Sequence, residues 1–244
     1  MQTIYDNWSM WQRLLTMLQN QFGDRSEFVL HDLTKDYSHT IVDIRNGHIT
    51  NRSVGDCGSN LGLEVLRGTI QDGDRYNYIV NMRDGKLLRS STMYIRNDAG
   101  AVIGSLCINS DITETVQLEN FLHRYNKYEL PSAPAAVESA YPPGAPAGAA
   151  PQPAGPARQT ELFANNVSQL LDFLMAEADS LVNKPADAMT RADKMEYIRY
   201  LDQKGAFLIT KSAEKVYEHL HISRFTFYNY LDAVRKETEG GEST

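Results

Sequence analysis

The chain has 244 residues, of which 42% are hydrophobic and 23% charged, the balance of an ordinary globular protein with one large or two small domains. It contains no uninterrupted apolar run of about 18 residues, and its first residues alternate polar and apolar side chains, so a membrane span and a secretion signal are not predicted. We therefore expect a cytoplasmic protein without a membrane partner.

The candidate reactive side chains are few. Cys57 and Cys107 belong to no CxxC or Cys/His cluster, so the sequence predicts no metal site, disulfide framework or cofactor. His31 precedes Asp32, but no nucleophile or second metal ligand stands at a fixed spacing from it, so a histidine held by that carboxylate is the simpler interpretation. No catalytic residue is predicted. An enzyme or redox sensor that uses Cys57, Cys107 or His31 remains an alternative.

Charge is unevenly distributed along the chain. The formal net charge is -7, and residues 1–128 carry 13 Lys/Arg against 15 Asp/Glu, whereas residues 199–236 carry seven against four. A local basic excess is a better indicator of nucleic-acid binding than the charge of the whole chain. The only local basic excess therefore lies in the C-terminal region.

A composition change divides the chain in two. Residues 131–158 contain eight of the nine prolines and are mostly Ala, Gly and Pro, with too little apolar surface to offset the entropy of ordering. This predicts a flexible linker over 129–159, between an N-terminal domain of residues 1–128 and a helical domain of residues 160–244. A proline-rich ligand for another domain is the alternative, but no basic residue stands beside a clear PxxP core.

The N-terminal domain reads as a helix followed by a sheet. Apolar residues at helical spacing predict a helix from Ile4 to Gln21, closed by Gly23. Five β-favouring runs follow, separated by turn signals such as Asn46-Gly47, and "SNLGLEVLRG" between the second and third suits a short helix. The predicted strands are "SEFVLHDL", "HTIVDIR", "RYNYIVNM", "KLLRSSTMYIRN" and "AVIGSLCINSDI". The pattern predicts an α+β fold with helices flanking an antiparallel sheet.

The motifs in this domain resemble those of the YheO-like PAS sensor domains. They are "FVLHDL", "NGHITNRSVGD" and "LLRSSTMYIRNDAGAVIGSLCINSDIT", with the Asp-Ile-Thr exit at residues 111–113 leading into "ETVQLENFLHRY". The resemblance covers roughly residues 5–125. It implies a cavity for a small-molecule effector between the helices and the sheet, and an exit helix that carries the signal outward.

The strand from Lys86 to Arg96 suggests a ligand chemistry. Its alternation places Arg89 on a face with Leu87, Met93 and other largely apolar residues. A buried arginine needs a partner, and a carboxylate of an amino or carboxylic acid would suit its two-pronged donor. Pairing with a protein acid, or extension of the side chain to solvent, remains the alternative. The predicted ligand-binding residues are His31, Tyr78, Arg89, Ser91 and Asn109.

Beyond the linker, two helices precede the basic region. Thr160 can cap a helix that runs to about Asn183, with a leucine-rich stripe that either pairs with a second copy or packs on the next helices. Thr190 can cap a second helix, which Gly205 stops.

Residues 211–234 have the pattern of a helix-turn-helix. Val216, Leu220 and Phe227 fall where two short helices bury against each other, with the turn at His221-Ile222 and Ser223 as the second cap. The outward residues suit guanine, adenine, thymine and phosphate contacts. The predicted DNA-binding residues are Lys211, Lys215, Ser223, Arg224, Phe225, Thr226, Tyr228 and Asn229.

This region is similar to the helix-turn-helix behind YheO-like PAS domains in bacterial regulators of the D-arginine utilisation repressor type. It departs from the usual pattern at two positions, because Tyr217 replaces a small residue and His221 replaces the turn glycine. The resemblance implies a ligand-responsive transcriptional regulator, and because one helix reads only a few base pairs, a homodimer on double-stranded operator DNA is expected. A signalling protein without DNA contact remains the alternative.

Overall fold

The computed structural model describes residues 1–70, 73–126 and 161–240, with side chains as far as Glu237. The predicted linker and the predicted cap Thr160 lie outside these ranges. No helix within them is long and apolar enough to cross a membrane.

The N-terminal domain is a five-stranded antiparallel sheet with helices on its faces. The strands follow the spatial order β2-β1-β5-β4-β3. They are β1 (Ser26–Asp32), β2 (Ile41–Arg45), β3 (Arg75–Asn81), β4 (Leu87–Arg96) and β5 (Val102–Asp111). The helices are α1 (Trp8–Phe22), α2 (Asn60–Arg67) and α3 (Thr113–Asn126). The predicted α+β class is confirmed.

The two faces of the sheet have different chemistry. Helix α1, which ends at Gly23 with φ +71°, packs Trp11 and Leu15 on an apolar face that includes Phe28 and Ile95. The opposite face, beneath α2, carries a large share of polar side chains. They include Glu27, His31, Thr92 and Asn109, all of them buried. Polar groups buried on a sheet need hydrogen-bond partners, and each of these four has one within the chain.

Four helices form the C-terminal domain: α4 (Val167–Val182), α5 (Arg191–Gln203), α6 (Ser212–His219) and α7 (Arg224–Gly240). The predicted helix start at Thr160 is wrong, because Asn166 caps α4 by accepting a hydrogen bond from the Gln169 amide at 3.0 Å. Residues 161–165 are not helical and run along the N-terminal domain instead.

The leucine stripe of α4 is buried inside its own chain. Leu170, Leu174 and Ala178 are fully covered and belong to a core that α5, α6 and α7 complete. The same core continues into the N-terminal domain, where Tyr37 and Leu63 join it. The stripe therefore joins the helices to one another and to the sheet domain, and the structure realises the second of its two predicted roles.

Candidate nucleic-acid interface and candidate ligand cavity

The turn between α6 and α7 tolerates a histidine where glycine is usual. His221 adopts φ +51°, a left-handed conformation, and its Nδ1 lies 2.6 Å from a carboxylate oxygen of Asp187. The ring of Tyr217 meets the buried Phe227 at an angle of 61°, with the ring centroids 6.2 Å apart. The larger residue at position 217 is thus accommodated by an edge-on aromatic contact.

Ser223 caps α7. Its Oγ accepts a hydrogen bond from the Thr226 amide at 3.1 Å and lies 2.9 Å from the Thr226 hydroxyl. The cap fixes where the helix begins and leaves its positive N-terminal end at the surface, a favourable position for a phosphate.

The two faces of α7 are sharply divided. Phe227, Leu231 and Val234 are buried, whereas the Phe225 and Tyr228 side chains are 77% and 42% exposed. The exposed or half-buried residues of the first two turns are Ser223, Arg224, Phe225, Thr226, Tyr228 and Asn229. The Arg224 guanidinium lies over the Tyr228 ring at 5.7 Å, so the two side chains present one joint surface. All of the residues predicted for this face lie on it.

The two predicted lysines differ in their surroundings. Lys211 is exposed just before α6. Lys215 lies 2.6 Å from a carboxylate oxygen of Asp172 in α4, so part of its positive charge is compensated within the chain.

A small cavity lies between the polar face of the sheet and α2. The free volume is about 20 Å³, enough for about one water molecule. Of the predicted ligand-binding residues, His31 and Tyr78 line it. Other side chains around it are Arg52, Ser59, Arg75, Thr92, Tyr94, Cys107, Glu161 and Phe163.

The predicted inward face of β4 is wrong by one residue. Arg89 is exposed, and Ser91 lies half-buried on the same outward face, where its Oγ accepts a hydrogen bond from the Asn77 amide at 3.0 Å. Ser90 and Thr92 point inward instead. Apolar residues occur on both faces of this strand, because α1 covers Ile95 on one side, so alternation alone does not identify the cavity side.

Asn109 belongs to a buried network beside the cavity. Its amide donates to Glu27 at 2.8 Å, and the same carboxylate receives the Arg52 guanidinium at 2.9 Å and the Thr50 hydroxyl at 2.6 Å. A buried ion pair is held in place when such additional hydrogen bonds satisfy it. The network fixes the Arg52 guanidinium at the cavity wall.

His31 has a different partner from the one predicted. Its Nδ1 lies 3.0 Å from the Thr40 hydroxyl, whereas the Asp32 carboxylate accepts a hydrogen bond from Thr34. Burial, together with the positive charge of Arg52, lowers the pKa of His31 to about 3. The imidazole is therefore neutral at physiological pH.

Both cysteines have thiols with a raised pKa. Burial raises the pKa of Cys57 and of Cys107 to about 11 in each case. A thiol with so high a pKa contains little thiolate near neutral pH, which disfavours nucleophilic or redox chemistry. In the described ranges, no group of three or more His, Cys, Asp or Glu side chains could hold a metal ion.

Comparison with known families agrees with this geometry. Residues 3–127 match the YheO-like PAS domain. The chain belongs to the YheO-like PAS family. Residues 170–232 match a helix-turn-helix domain, and this range includes α6 and the first part of α7. The domain pair is that of a DNA-binding transcriptional regulator.

Similar proteins align along most of this chain. An uncharacterized protein of Haemophilus influenzae is 28% identical over 89% of this chain and 86% of its own. The uncharacterized protein YheO of Escherichia coli strain K12 is 26% identical over 94% of this chain and 85% of its own. The transcriptional regulator DauR of Pseudomonas aeruginosa is 27% identical over 91% of this chain and 90% of its own.

The PAS domain and the helix-turn-helix domain are docked through charged and apolar contacts. Asp202 in α5 accepts Arg67 from the PAS helix α2 at 2.6 Å and Arg235 from α7 at 2.7 Å. Lys204 lies 3.0 Å from Glu64, also in α2. A single buried carboxylate therefore connects the PAS domain to α7, the second helix of the helix-turn-helix.

Sequence reasoning missed the cavity residues outside the strands. Arg52 and Ser59 lie in irregular segments, where periodicity gives no burial signal. The sequence pattern places Glu161 and Phe163 in a helix, whereas both side chains line the cavity of the PAS domain although they lie far from it in sequence. The signal that could have found Arg52 is the "NGHITNRSVGD" motif, which contains it.

Proposed function

We propose that this protein is a ligand-responsive transcriptional regulator, in which the PAS domain binds a small-molecule effector and α7 reads operator DNA. The proposal assigns sensing to residues 1–128, a linker to 129–159 and DNA binding to 160–244, in the cytoplasm and without catalysis. The observation that carries it is the division of α7 into a buried face and an exposed N-terminal face with arginine, asparagine and aromatic residues.

The exposed face supplies the chemistry for reading a major groove. Arg224 can give two hydrogen bonds to guanine, and Asn229 can pair with adenine. Thr226, Tyr228 and Ser223 suit phosphate contacts at the helix N-terminus. Phe225 is available for apolar contact with thymine methyl groups. Lys211 and Lys215 add positive charge beside this face.

A homodimer would give the protein enough specificity for one DNA sequence. The exit helix α3 has no buried residue, and its exposed apolar side chains recur at helical spacing. They are Leu118, Phe121, Leu122 and Tyr125, which are between 45% and 73% exposed. An uncovered apolar stripe of this kind fits a second copy of the same helix, and two copies would present two α7 helices to a two-fold symmetric operator.

The cavity supports an effector that carries an acid group. Arg52 and Arg75 line it, and Tyr78, Ser59 and Thr92 offer hydroxyl groups. Guanidinium groups and hydroxyls recognise a carboxylate well. Arg89 is not part of this proposal, because its side chain is exposed on the other face of the sheet.

The test is operator binding by fluorescence anisotropy, with a fragment selected from genomic DNA and a scrambled duplex. We expect Arg224→Ala to weaken operator binding by roughly 10- to 100-fold, the loss of one good base contact, while non-specific binding falls less. Arg83→Ala, which removes an exposed arginine from the PAS domain, should change neither affinity. Equal losses for Arg224→Ala on both duplexes would contradict base reading by α7.

A further inference from the structure

The PAS cavity is closed by a segment that belongs to the other end of the chain. Residues 161–165, with the sequence Glu-Leu-Phe-Ala-Asn, lie against its rim, and the side chains of Glu161 and Phe163 line it. The remaining free volume of about 20 Å³ leaves no room for an organic effector. An organic effector therefore requires part of the lining to move, and Glu161 and Phe163 are the lining residues that come from outside the PAS domain.

Only one of the two oxygens of the Glu161 carboxylate makes a regular hydrogen bond within the described residues. The Glu161 side chain is buried, and Ser59 donates to one oxygen at 2.7 Å, whereas the other oxygen has the Tyr78 hydroxyl beside it but makes no hydrogen bond of regular geometry in the part of the chain that the structure describes. Burial raises the pKa of this carboxyl group, and the Ser59 and Tyr78 hydroxyls together with the charges of Arg52 and Arg75 oppose that effect. An unsatisfied buried oxygen destabilises the closed arrangement.

Phe163 fills the apolar part of the same site. Its ring lies 4.6 Å from the Arg52 guanidinium carbon and packs against Ile49, Val80 and Leu88. The Glu161 carboxylate and the Phe163 ring together occupy a site with a charged end and an apolar end. A free molecule with these two groups can adjust its position to satisfy both carboxylate oxygens, which the tethered side chain does not.

We propose that residues 161–165 are a built-in occupant of the effector site, and that the effector is a small carboxylic acid with an apolar group that displaces Glu161 and Phe163. This inference rests on the proposed function, because it assigns the position and the chemistry of the effector site in the PAS domain.

Displacement of the segment reaches the DNA-binding domain directly. The Leu162 amide donates to Asn60 at 2.7 Å, and the Cys57 thiol donates to the Ala164 carbonyl at 3.3 Å. The segment then continues into Asn166, the cap of α4. Effector binding breaks these contacts and loosens the docking of the helices on the PAS domain. By linkage, tighter docking weakens effector binding by the same factor.

The decisive measurement is calorimetry on the full chain with phenylacetate and isovalerate, each compared with its amide. The double variant Glu161→Gln, Phe163→Ala opens the site, so at least one of the acids should bind it about tenfold or more tightly than the wild type, because the competing occupant is gone. The amides should show no such gain. The double variant Glu214→Gln, Phe22→Ala makes the same changes at two exposed positions away from the cavity and should bind the acids as the wild type does.

Hydrogen exchange on the wild type reports the displacement itself. At saturating acid, amide exchange in residues 161–166 should rise, and the matching amide should have no effect. A variant that gains no affinity for either acid, equal gains for acid and amide, or a saturated wild type in which residues 161–166 stay protected, would each overturn the proposal. If the double variant does not fold, Glu161→Ala alone, which still removes the competing carboxylate, decides the question by the same comparison.

Operator binding without any acid keeps the two proposals separate. Loss of sequence-specific DNA binding in the wild type would overturn the proposed regulator, whereas calorimetry and exchange decide the competition at the cavity independently of DNA.

Discussion

A Cβ atom on Gly205 would lie 2.6 Å from the carbonyl oxygen of Leu63, so the loop after α5 is in direct backbone contact with α2 of the PAS domain. Gly205 also has φ +74°. Both the conformation and the space at this position require glycine.

Gly205→Ala should therefore separate the domains locally and lower the free energy of unfolding by roughly 2 to 4 kcal/mol, from left-handed strain and a backbone clash together. The measurement is urea unfolding followed by circular dichroism. Gly68 is the matched control, because it has φ +82° and nothing within 4 Å of its Cβ position. Gly68→Ala should lower the free energy of unfolding only by the cost of the left-handed conformation. Equal decreases for Gly205→Ala and Gly68→Ala would contradict a close contact between the domains.

Asp202 is the second place where the two domains are joined. Asp202→Asn should lower the free energy of unfolding by about 2 kcal/mol or more, because a buried carboxylate that serves two arginines loses its charge. Combining it with Arg67→Met in a double-mutant cycle measures the interaction free energy between Asp202 and Arg67, which lie in different domains. Strict additivity of the two substitutions would show that this ion pair does not hold the domains together.

His31 gives the stability a specific pH dependence. Its pKa is about 3 in the folded protein because of burial, against an ordinary value of 6.5. Between these values the unfolded chain binds a proton that the folded chain excludes, so the free energy of unfolding falls as the pH falls, by at most about 1.4 kcal/mol per pH unit.

His31→Gln should flatten this dependence, because glutamine takes up no proton. The measurement is the free energy of unfolding at several pH values between about 6.5 and 4. His48→Gln removes an exposed histidine and serves as the control. Identical pH slopes for His31→Gln and the wild type would contradict a buried neutral imidazole.

Ser223 should contribute to stability through the cap of α7. Ser223→Ala removes the hydrogen bond to the Thr226 amide and should lower the free energy of unfolding by about 1 kcal/mol. Ser180→Ala makes the same change at an exposed position inside α4, where alanine is the better helix former, so it should cause no loss. The melting temperatures of the Ser223→Ala and Ser180→Ala variants test this prediction. Equal melting temperatures would exclude a capping role for Ser223.

The exposed stripe of α3 predicts the oligomeric state. Leu118→Ser together with Phe121→Ser should convert the expected dimer into a monomer, as measured by light scattering after size-exclusion chromatography, because the stripe loses its apolar surface. Met17→Ser changes a side chain on α1 that is 60% exposed and should leave the mass unchanged. A dimer that persists in the α3 variant would exclude this helix as the interface.

Local sequence patterns predicted most of the sheet domain. The turn residues Asn46, Gly85 and Gly100 all adopt positive φ, and each ends a strand or begins a tight turn close to the expected place. Such turn chemistry is local, so a single sequence reveals it. The order of the elements followed from it.

The side of the sheet that holds the cavity was not predictable in this way. Strand β4 is covered on both faces, by α1 near Ile95 and by the cavity wall at Thr92, so its apolar pattern fits either orientation. The residues of the cavity rim depend on contacts across more than 100 positions, such as Ser59 with Glu161. No local periodicity encodes a contact of that range.

The contact between Cys57 and Ala164 spans 107 positions, and this separation sets an order of events during synthesis. The PAS strands leave the ribosome before residues 161–165 exist, and at about 5 to 20 residues per second the wait lasts on the order of 5 to 20 seconds. During that interval the residues of the PAS domain that later share a core with α4 lack that cover, and the cavity is not yet lined by Glu161 and Phe163.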